Sequence, residues 1–235
     1  MIELLYWTTP NGQKVLIAAE EIGLPYKITP VNISKGEQFD PEFLKHSPNN
    51  RIPAIIDHAP ADAQGPLAVF ESGACLEYLA DKTGQFLPKA PRPRFEALQW
   101  LYWQMGGLGP MAGQAHHFIQ YAAEQHPYSI DRYVKEANRL YGVLDRRLDR
   151  APFAGGAEYS IADMAIYPWI YRHERHRQDL NDFPNVKRWY EAVGARPAVV
   201  KAYEIQESIN TTPTVNRENH ALLFGQTADL PKVTP

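Results

Sequence analysis

This chain is organised around two stretches, Asn50-Arg51-Ile52-Pro53-Ala54 and Phe70-Glu71-Ser72-Gly73-Ala74. The first is an extended segment that turns at a proline, so its backbone N–H and C=O groups can pair with an extended ligand as an added strand would. The second begins a helix, whose first N–H groups and dipole favour a carboxylate near Ser72. Glu71 can accept from an amine at the same place. Together the two stretches predict a site for a small peptide with a free amine and free carboxylates.

The composition indicates an ordinary globular protein. The chain has 235 residues, 44% hydrophobic and 22% charged, which is enough for one large domain or two small ones. A net charge of −3 gives no basic face that would predict a nucleic-acid partner. No apolar run approaches the roughly 18 residues of a membrane span, and the first residues lack the features of a signal peptide. The single cysteine excludes a disulfide within the chain and favours a reducing cytoplasm.

Residues 1–84 are predicted to form an α/β thioredoxin-like domain. Short apolar runs predict strands at 2–7, 26–33, 54–57 and 67–70, and apolar residues at helical spacing predict helices at 13–22 and 72–82. Asp40-Pro41 has the form of a short helix start between them. Pro30, inside the second strand, predicts an edge position in the sheet. The order βαβ, short helix, ββα is the arrangement of the thioredoxin fold.

The rest of the chain is predicted to be all-α. Residues 85–93 contain three prolines and predict a linker, which is followed by a helical domain at 94–206. We expect Gly106-Gly107-Leu108-Gly109-Pro110 to kink or break its first helix. Ser160-Ile161-Ala162-Asp163 has the spacing of a capping box at the start of another helix. Residues 207–235 predict an irregular tail with one apolar island, Ala221-Leu222-Leu223-Phe224, which either docks on the body or moves with the tail.

Four motifs, taken in order, resemble those of the glutathione transferase superfamily over residues 1 to about 205. They are Thr8-Thr9-Pro10-Asn11-Gly12, Ser47-Pro48-Asn49-Asn50-Arg51-Ile52-Pro53, Phe70-Glu71-Ser72-Gly73 and Tyr159-Ser160-Ile161-Ala162-Asp163. The chain is most similar to the bacterial nu-class disulfide-bond reductases, a narrower match to which Trp100-Leu101-Tyr102-Trp103-Gln104 and Gly106-Gly107-Leu108-Gly109-Pro110-Met111 add. The resemblance implies a homodimer, a cis peptide bond before Pro53, and glutathione as cosubstrate without a metal.

Glutathione reacts as a thiolate, whereas a free thiol has a pKa of about 8.5. Thr9 and Asn11 lie just before a helix, where a hydroxyl, an amide and helix-start N–H groups can donate to sulfur. The resemblance places both residues at the thiol, as the catalytic pair. Tyr6 is the alternative, since some transferase classes use a tyrosine near this point, but strand alternation favours a core position for it. Thr9 can also cap the helix, and the two roles are compatible.

The resemblance also implies the remaining contacts with glutathione. Ile52 pairs its backbone with the cysteinyl residue, and Glu71 and Ser72 hold the γ-glutamyl amine and carboxylate. Gln38 matches a position at the glycyl end, and Arg132 matches an arginine of the helical domain that reaches toward glutathione. The full set implied to bind glutathione is Asn11, Gln38, Arg51, Ile52, Pro53, Glu71, Ser72 and Arg132.

Cys75 and the paired histidines are weaker candidates. Cys75 lies near a helix start, where the dipole lowers a thiol pKa, yet it falls on the inward face and is expected to be a small buried hydrophobe. His116 and His117 face different directions on a helix. His173 and His176 lack an obvious third ligand, so we expect no metal site.

The sequence thus predicts a glutathione-dependent thiol–disulfide oxidoreductase that acts on a small-molecule disulfide. The absence of a Cys-x-x-Cys pair favours this interpretation, because the protein has no dithiol of its own to cycle. One alternative is a transferase that conjugates glutathione to electrophiles. Another is a regulatory protein that keeps the fold with little catalysis, since a fold alone does not determine function.

Overall fold

The computed structural model of the protein describes residues 1–212, 214–216 and 218–229. It divides into two compact units. The first comprises Met1–Lys82 together with the described residues from Lys201 onward, and the second comprises Thr83–Val200. None of the helices in these ranges combines the length and the apolar character that a bilayer crossing requires.

The first unit is built on a four-stranded sheet. Its strands are β1 (Ile2–Tyr6), β2 (Tyr26–Pro30), β3 (Ala54–Asp57) and β4 (Leu67–Phe70). Their spatial order is β2-β1-β3-β4, in which β1 and β2 are parallel and the other two pairs are antiparallel. The helices that alternate with these strands are α1 (Pro10–Ile22), α2 (Pro41–His46) and α3 (Ser72–Thr83). The predicted α/β order and the edge position of β2 are both confirmed.

The second strand ends earlier than predicted. β2 stops at Pro30, and the chain then forms two 3₁₀ turns, Ile33–Lys35 and Glu37–Phe39. The Asn32 side chain caps the first of them by accepting from the Ser34 N–H at 3.0 Å. This local bond offers the backbone an alternative to the sheet ladder, which explains the difference.

The core of this unit lies between the sheet and its helices. The fully buried aliphatic side chains include Leu4, Leu16, Ile17, Ile55, Leu76 and Leu79. Burying each such side chain contributes about 1.5–3 kcal/mol. A second apolar cluster packs Ile52 with Leu5, Trp7, Val31, Phe43 and Ile56. Residues 50–53, which we call the proline-turn loop, are therefore anchored to the sheet by the side chain of Ile52.

In the described part of the chain, seven helices follow α3. They are α4 (Pro91–Trp103), α5 (Gly109–His116), α6 (Pro127–Arg150), α7 (Ile161–Ile170), α8 (Pro184–Gly194), α9 (Pro197–Ile209) and α10 (His220–Phe224). α4 begins inside the stretch predicted as a linker, and α10 lies inside the stretch predicted as an irregular tail. α10 packs on the 3₁₀ turn Ile33–Lys35, so the apolar island is docked within the first unit.

The glycine-rich stretch after α4 was expected to kink or break the helix, and the break does not occur. Residues Gln104–Leu108 form a π-helical turn that leads directly into α5, and the Gly109 N–H bonds to the Gln104 carbonyl. The wider turn brings Pro110 into the first turn of α5, where a missing N–H costs little. A Cβ at Gly109 would lie 2.7 Å from the side-chain nitrogen of the buried Gln104 and 3.2 Å from its carbonyl oxygen, so a larger residue would require Gln104 to shift.

A buried carboxylate organises the start of α7. Asp163 accepts from the Ala154 N–H at 2.7 Å, the Trp189 indole at 2.8 Å and the Ser160 N–H at 3.0 Å. The Ser160 side chain completes the reciprocal capping box that the sequence predicted. Burial raises the pKa of Asp163, and the bonds from these donors act in the opposite direction. The carboxylate thus joins α7, α8 and the preceding loop.

Asp163→Ala should lower the free energy of unfolding by about 3 kcal/mol or more, because several buried donors would lose their acceptor. Urea unfolding followed by circular dichroism measures this change. The control is Glu158→Ala, an exposed carboxylate in the same loop, with an expected change within about 0.5 kcal/mol. Equal midpoints for the two variants would contradict a central role for Asp163.

Candidate functional site

The proline-turn loop has the geometry that the sequence predicted. The Ile52–Pro53 peptide bond is cis, which confirms that expectation. The Ser47 hydroxyl donates to the Arg51 carbonyl at 2.7 Å and closes the loop. The Ile52 side chain is buried in the apolar cluster. The hydrogen bond from Ser47 and the packing of Ile52 therefore fix the loop just before β3 begins.

Glu71 and Ser72 form the start of α3. Glu71 has a φ of 70°, in the left-handed region that a residue with a side chain rarely adopts. Such a conformation costs roughly 1–2 kcal/mol and is often found where function requires it. The exposed Glu71 carboxylate accepts from the Asn49 amide at 3.2 Å. Ser72 is almost fully buried beside it.

A buried lysine lies behind this helix start. Lys14, on α1, is only 1% exposed, and its ammonium donates to the Ser72 hydroxyl at 3.3 Å. Burial lowers the Lys14 pKa to about 7, while the nearby Glu71 carboxylate acts to raise it. The sequence analysis missed this residue. Its only signal is helical spacing, since Lys14 stands four residues before the buried Ala18.

Thr9 and Asn11 lie at the start of α1. The Thr9 hydroxyl accepts from the Gly12 N–H at 3.1 Å and so caps the helix. A hydroxyl has one O–H donor besides its two lone pairs, so capping leaves Thr9 able to donate to a ligand. Asn11 is half-buried in the first turn. The capping role of Thr9 is observed, and the role of both residues at a thiol stays a prediction.

Tyr6 is a core residue, which confirms the interpretation favoured from strand alternation. Its side chain is completely buried, and its hydroxyl donates to the Gln13 side chain at 3.0 Å. The Gln13 amide in turn donates to the Ala202 carbonyl at 3.3 Å. Tyr6 therefore connects β1 to α1 and α9 inside the first unit.

Cys75 is a buried thiol. It is fully enclosed, and its Sγ donates to the Val69 carbonyl at 3.2 Å. Burial raises the Cys75 pKa to about 12. Because the thiolate is the reactive form of cysteine, this side chain does not serve as a nucleophile at neutral pH.

Gln38 and Arg51 also belong to the first unit. Gln38 is 2% exposed, and its side-chain oxygen has no hydrogen-bond partner among the described residues. A buried acceptor without a donor costs about 1–3 kcal/mol, so it marks a place where a ligand can supply the donor. The Arg51 guanidinium donates to the Gln226 side chain at 2.7 Å. The segment after α10 thus contacts the proline-turn loop.

The residues predicted to act on the thiol or to bind glutathione fall into two groups. Eight of them belong to the first unit: Thr9, Asn11, Gln38, Arg51, Ile52, Pro53, Glu71 and Ser72. Arg132 belongs to the second unit, on α6. Its guanidinium is largely exposed and lies 3.8 Å from the Glu136 carboxylate. The glutathione contacts assigned to these residues remain predictions.

The histidines of the second unit take part in packing and local hydrogen bonds. His176 is buried and shares a hydrogen bond with the Tyr141 hydroxyl at 3.2 Å, and burial lowers its pKa to about 3. His116 bonds to the Gln120 side chain, and burial lowers its pKa to about 4. His173 donates to the Gln178 carbonyl at 2.9 Å. Over the described ranges, the acidic, histidine and cysteine side chains form no group of three suited to a metal ion.

Native Cys75 should react very slowly with 5,5′-dithiobis(2-nitrobenzoate) at pH 8, because a pKa near 12 leaves roughly one thiol in ten thousand ionised. The absorbance of the released thionitrobenzoate, read with and without denaturing urea, measures this reactivity. The unfolded chain should release one equivalent rapidly. Rapid release from the folded protein would show that the thiol is accessible and ionised.

Comparison with known proteins identifies both halves of the chain. Residues 8–82 match the family model "Glutathione S-transferase, N-terminal domain", and residues 109–197 match "Glutathione S-transferase, C-terminal domain". A similar curated protein is the disulfide-bond oxidoreductase YfcG of Escherichia coli K12. It is 53% identical over 202 residues, which are 86% of this chain and 94% of that protein.

Two solved structures resemble the fold closely. A glutathione transferase family member from Pseudomonas fluorescens, with two glutathione bound, has a TM-score of 0.81 and 46% identity, covering 86% of this chain and 92% of its own. A glutathione transferase from Pseudomonas putida, with one glutathione disulfide per subunit, has a TM-score of 0.81 and 44% identity. That alignment covers 87% of this chain and 91% of the Pseudomonas putida chain.

Proposed function

This chain belongs to the glutathione transferase family, and from that premise we propose that it is a glutathione-dependent thiol–disulfide oxidoreductase. The observation that carries the proposal is the state of the chain's single cysteine. Cys75 is buried and its pKa is raised to about 12, so the protein has no thiolate of its own to offer at neutral pH. The reacting sulfur is therefore that of glutathione.

The comparisons support the redox direction of this proposal. The relative from Escherichia coli is named a disulfide-bond oxidoreductase. The Pseudomonas putida protein holds glutathione disulfide, the oxidised form of the cosubstrate, and the Pseudomonas fluorescens protein holds two glutathione molecules. Two thiols and their disulfide are the reactants and the product that this reaction requires.

The proposed reaction consists of two exchange steps. The thiolate of one glutathione attacks a sulfur of the substrate disulfide, so that a mixed disulfide forms and one substrate thiolate leaves. A second glutathione thiolate then attacks the glutathione sulfur of the mixed disulfide and releases the other substrate thiolate. Two electrons pass from the two glutathione molecules to the substrate, and the two glutathione protons end on the two product thiols. The products are glutathione disulfide and two thiols.

The contribution of the protein is to hold glutathione and to favour its thiolate. Thr9 and Asn11, with the first N–H groups of α1, would donate to the sulfur anion. Ile52, held by the loop that ends at the cis Pro53, would pair its backbone with the cysteinyl residue. Glu71 and Ser72 would bind the γ-glutamyl amine and carboxylate. These assignments use the Thr9 hydroxyl and the left-handed backbone conformation of Glu71.

The glycyl end is assigned to Gln38 and Arg51, and a role for Arg132 in binding glutathione stays the prediction drawn from the resemblance. Gln38 supports this assignment because its buried oxygen lacks a donor among the described residues. The Arg51 guanidinium donates to the neutral side-chain oxygen of Gln226. A glycyl carboxylate would replace this oxygen by a charged acceptor, to which Arg51 forms a stronger bond. We also propose a nu-class homodimer that works in the reducing cytoplasm, where reduced glutathione is available.

Thr9→Ala should lower kcat/KM for glutathione-dependent reduction of 2-hydroxyethyl disulfide by roughly tenfold or more, because an oriented donor to the sulfur is lost. Thr9→Ser keeps both the cap and the donor and should retain most activity. Thr9→Asp keeps an acceptor for the Gly12 N–H but offers no hydroxyl donor, so it separates capping from catalysis.

The thiolate absorbance of bound glutathione near 240 nm, followed against pH, gives a second measurement on the same variants. Loss of the donor should raise the pKa of the bound thiol in Thr9→Ala and Thr9→Asp but not in Thr9→Ser. Equal rates and equal thiol pKa values in all four proteins would remove Thr9 from the mechanism.

Conjugation of glutathione to electrophiles is the competing activity. The same thiolate would attack the aromatic carbon of 1-chloro-2,4-dinitrobenzene and displace chloride. We expect the kcat/KM for 2-hydroxyethyl disulfide to exceed the value for the aromatic halide. The reverse order would favour a conjugating transferase, and binding of glutathione without turnover of either substrate would favour a regulatory protein.

A further inference from the structure

The chain that follows α9 lies along the residues assigned to glutathione. We define the C-terminal segment by its described residues, which are 210–212, 214–216 and 218–226. At its start, the Asn210 amide donates to the hydroxyl of Thr8, the neighbour of Thr9, at 3.1 Å. Further along, the Ser34 hydroxyl donates to the Thr214 carbonyl at 2.8 Å. The C-terminal segment therefore contacts the first unit, to which it belongs, at several points.

The end of the C-terminal segment lies at the residues assigned to the glycyl end of glutathione. Leu222 of α10 packs on Gly36, where an added Cβ would lie 3.4 Å from two of its side-chain carbons. Gly36 directly precedes the 3₁₀ turn that carries Gln38. The Gln226 side-chain oxygen accepts from the Arg51 guanidinium at 2.7 Å. One short stretch of chain thus packs beside Gln38 and bonds to Arg51.

The Gln226 side chain stands where a ligand acceptor would bind. Its oxygen accepts from a terminal nitrogen of Arg51, and its nitrogen donates to the Leu222 carbonyl at 3.1 Å. The side chain is therefore fixed between α10 and the proline-turn loop. A carboxylate that binds both terminal nitrogens of Arg51 needs the place that the Gln226 oxygen occupies. The two acceptors compete for one guanidinium.

The Gln38 oxygen is enclosed in the same arrangement. Gln38 is 2% exposed, and its oxygen lacks a donor among the described residues. A ligand N–H reaches this oxygen only when an element packed beside it moves. α2 also packs on this turn, but Phe43 anchors α2 in the buried apolar cluster. α10 has only five residues and none of them is buried, so moving it costs little.

We propose that the C-terminal segment is an autoinhibitory strap that glutathione releases, and that Gln226 holds it closed on Arg51. The inference rests on the proposed function, because that proposal assigns Arg51 and Gln38 to the glycyl end. In the closed form Gln226 occupies Arg51. In the open form the glycyl carboxylate binds Arg51, and the glycyl amide N–H donates to Gln38. Closure lowers the affinity for glutathione, and by linkage glutathione favours the open form.

The first test measures affinity by isothermal titration calorimetry with S-methylglutathione, which has the glycyl carboxylate but no thiol to exchange. Gln226→Ala removes the competing acceptor and should bind this ligand roughly fivefold more tightly than the wild type. Gln226→Glu forms an ion pair with Arg51 and should bind it roughly tenfold more weakly. The two substitutions at one position thus act in opposite directions.

Two controls separate the strap from a general effect on the fold. S-methyl-γ-glutamylcysteine lacks the glycyl residue and has no use for Arg51, so its Kd should agree within about twofold in all three proteins. Gln64→Ala changes an exposed glutamine between β3 and β4. It should leave the Kd of both ligands within about twofold of the wild type.

The second test measures amide hydrogen exchange in the wild-type protein by mass spectrometry. The N–H groups of Leu223 and Gly225 bond to the Asn219 and Ala221 carbonyls in α10. Saturation with S-methylglutathione should speed exchange of this peptide roughly fivefold, whereas the ligand without glycine should leave it unchanged. The wild-type measurement needs no variant, so it also holds if a substitution disturbs folding.

The outcomes separate this inference from the proposed function. Equal or weaker binding of S-methylglutathione by Gln226→Ala would overturn the strap alone. Unchanged or slower exchange of α10 in the wild-type complex would do the same. If the wild type fails to bind S-methylglutathione at millimolar concentration, the proposed function falls together with the strap.

Discussion

The contact between the Lys14 ammonium and the Ser72 hydroxyl is the interaction on which the candidate site depends. It joins α1 to the start of α3, two segments that are 58 residues apart in the chain. Thr9 caps α1 and Asn11 lies in its first turn, while Glu71 directly precedes α3. The contact thus links the end of the site proposed for the thiol to the end proposed for the γ-glutamyl group. Its cost in desolvation must be met by the apolar packing around α1.

Several features of the first unit are unfavourable to folding. Glu71 adopts a left-handed backbone conformation, Lys14 is buried, and the Gln38 side-chain oxygen lacks a donor among the described residues. Each of these features lowers the stability of the folded chain on its own. In the proposed complex, an N–H of the ligand would supply the donor that the Gln38 oxygen lacks among the described residues.

Asp163 in the second unit shows the opposite use of a buried charge. Its carboxylate accepts from backbone and side-chain donors on several elements, and every one of these partners comes from the protein itself. Such a group stabilises a particular arrangement of helices and has no need of a ligand. Lys14 and Asp163 are both fully buried, but they differ in their neighbours. The Lys14 ammonium contacts the Ser72 hydroxyl at the start of α3, whereas Asp163 joins α7 to α8 and to the preceding loop.

The sequence by itself determined the local architecture of this protein. The period of the apolar residues predicted the strands β1, β3 and β4, the proline pattern predicted the loop before Pro53, and the Ser160–Asp163 spacing predicted a capping box. These features depend on residues that are close in the chain, so their signals are local. The glutathione contacts of the predicted site residues were transferred from a family resemblance, and they stay predictions here.

The tertiary structure alone decided the protonation states and the long-range contacts. The burial of Lys14, the π-helical turn after α4 and the bond between Arg51 and Gln226 were not predicted. Desolvation moves the pKa of Lys14 down and that of Cys75 up, and its extent depends on which distant segments pack around each side chain. A chain pattern records which residues alternate between inside and outside. It does not show which distant residues come into contact in the folded chain, and the chemistry of this site depends on those contacts.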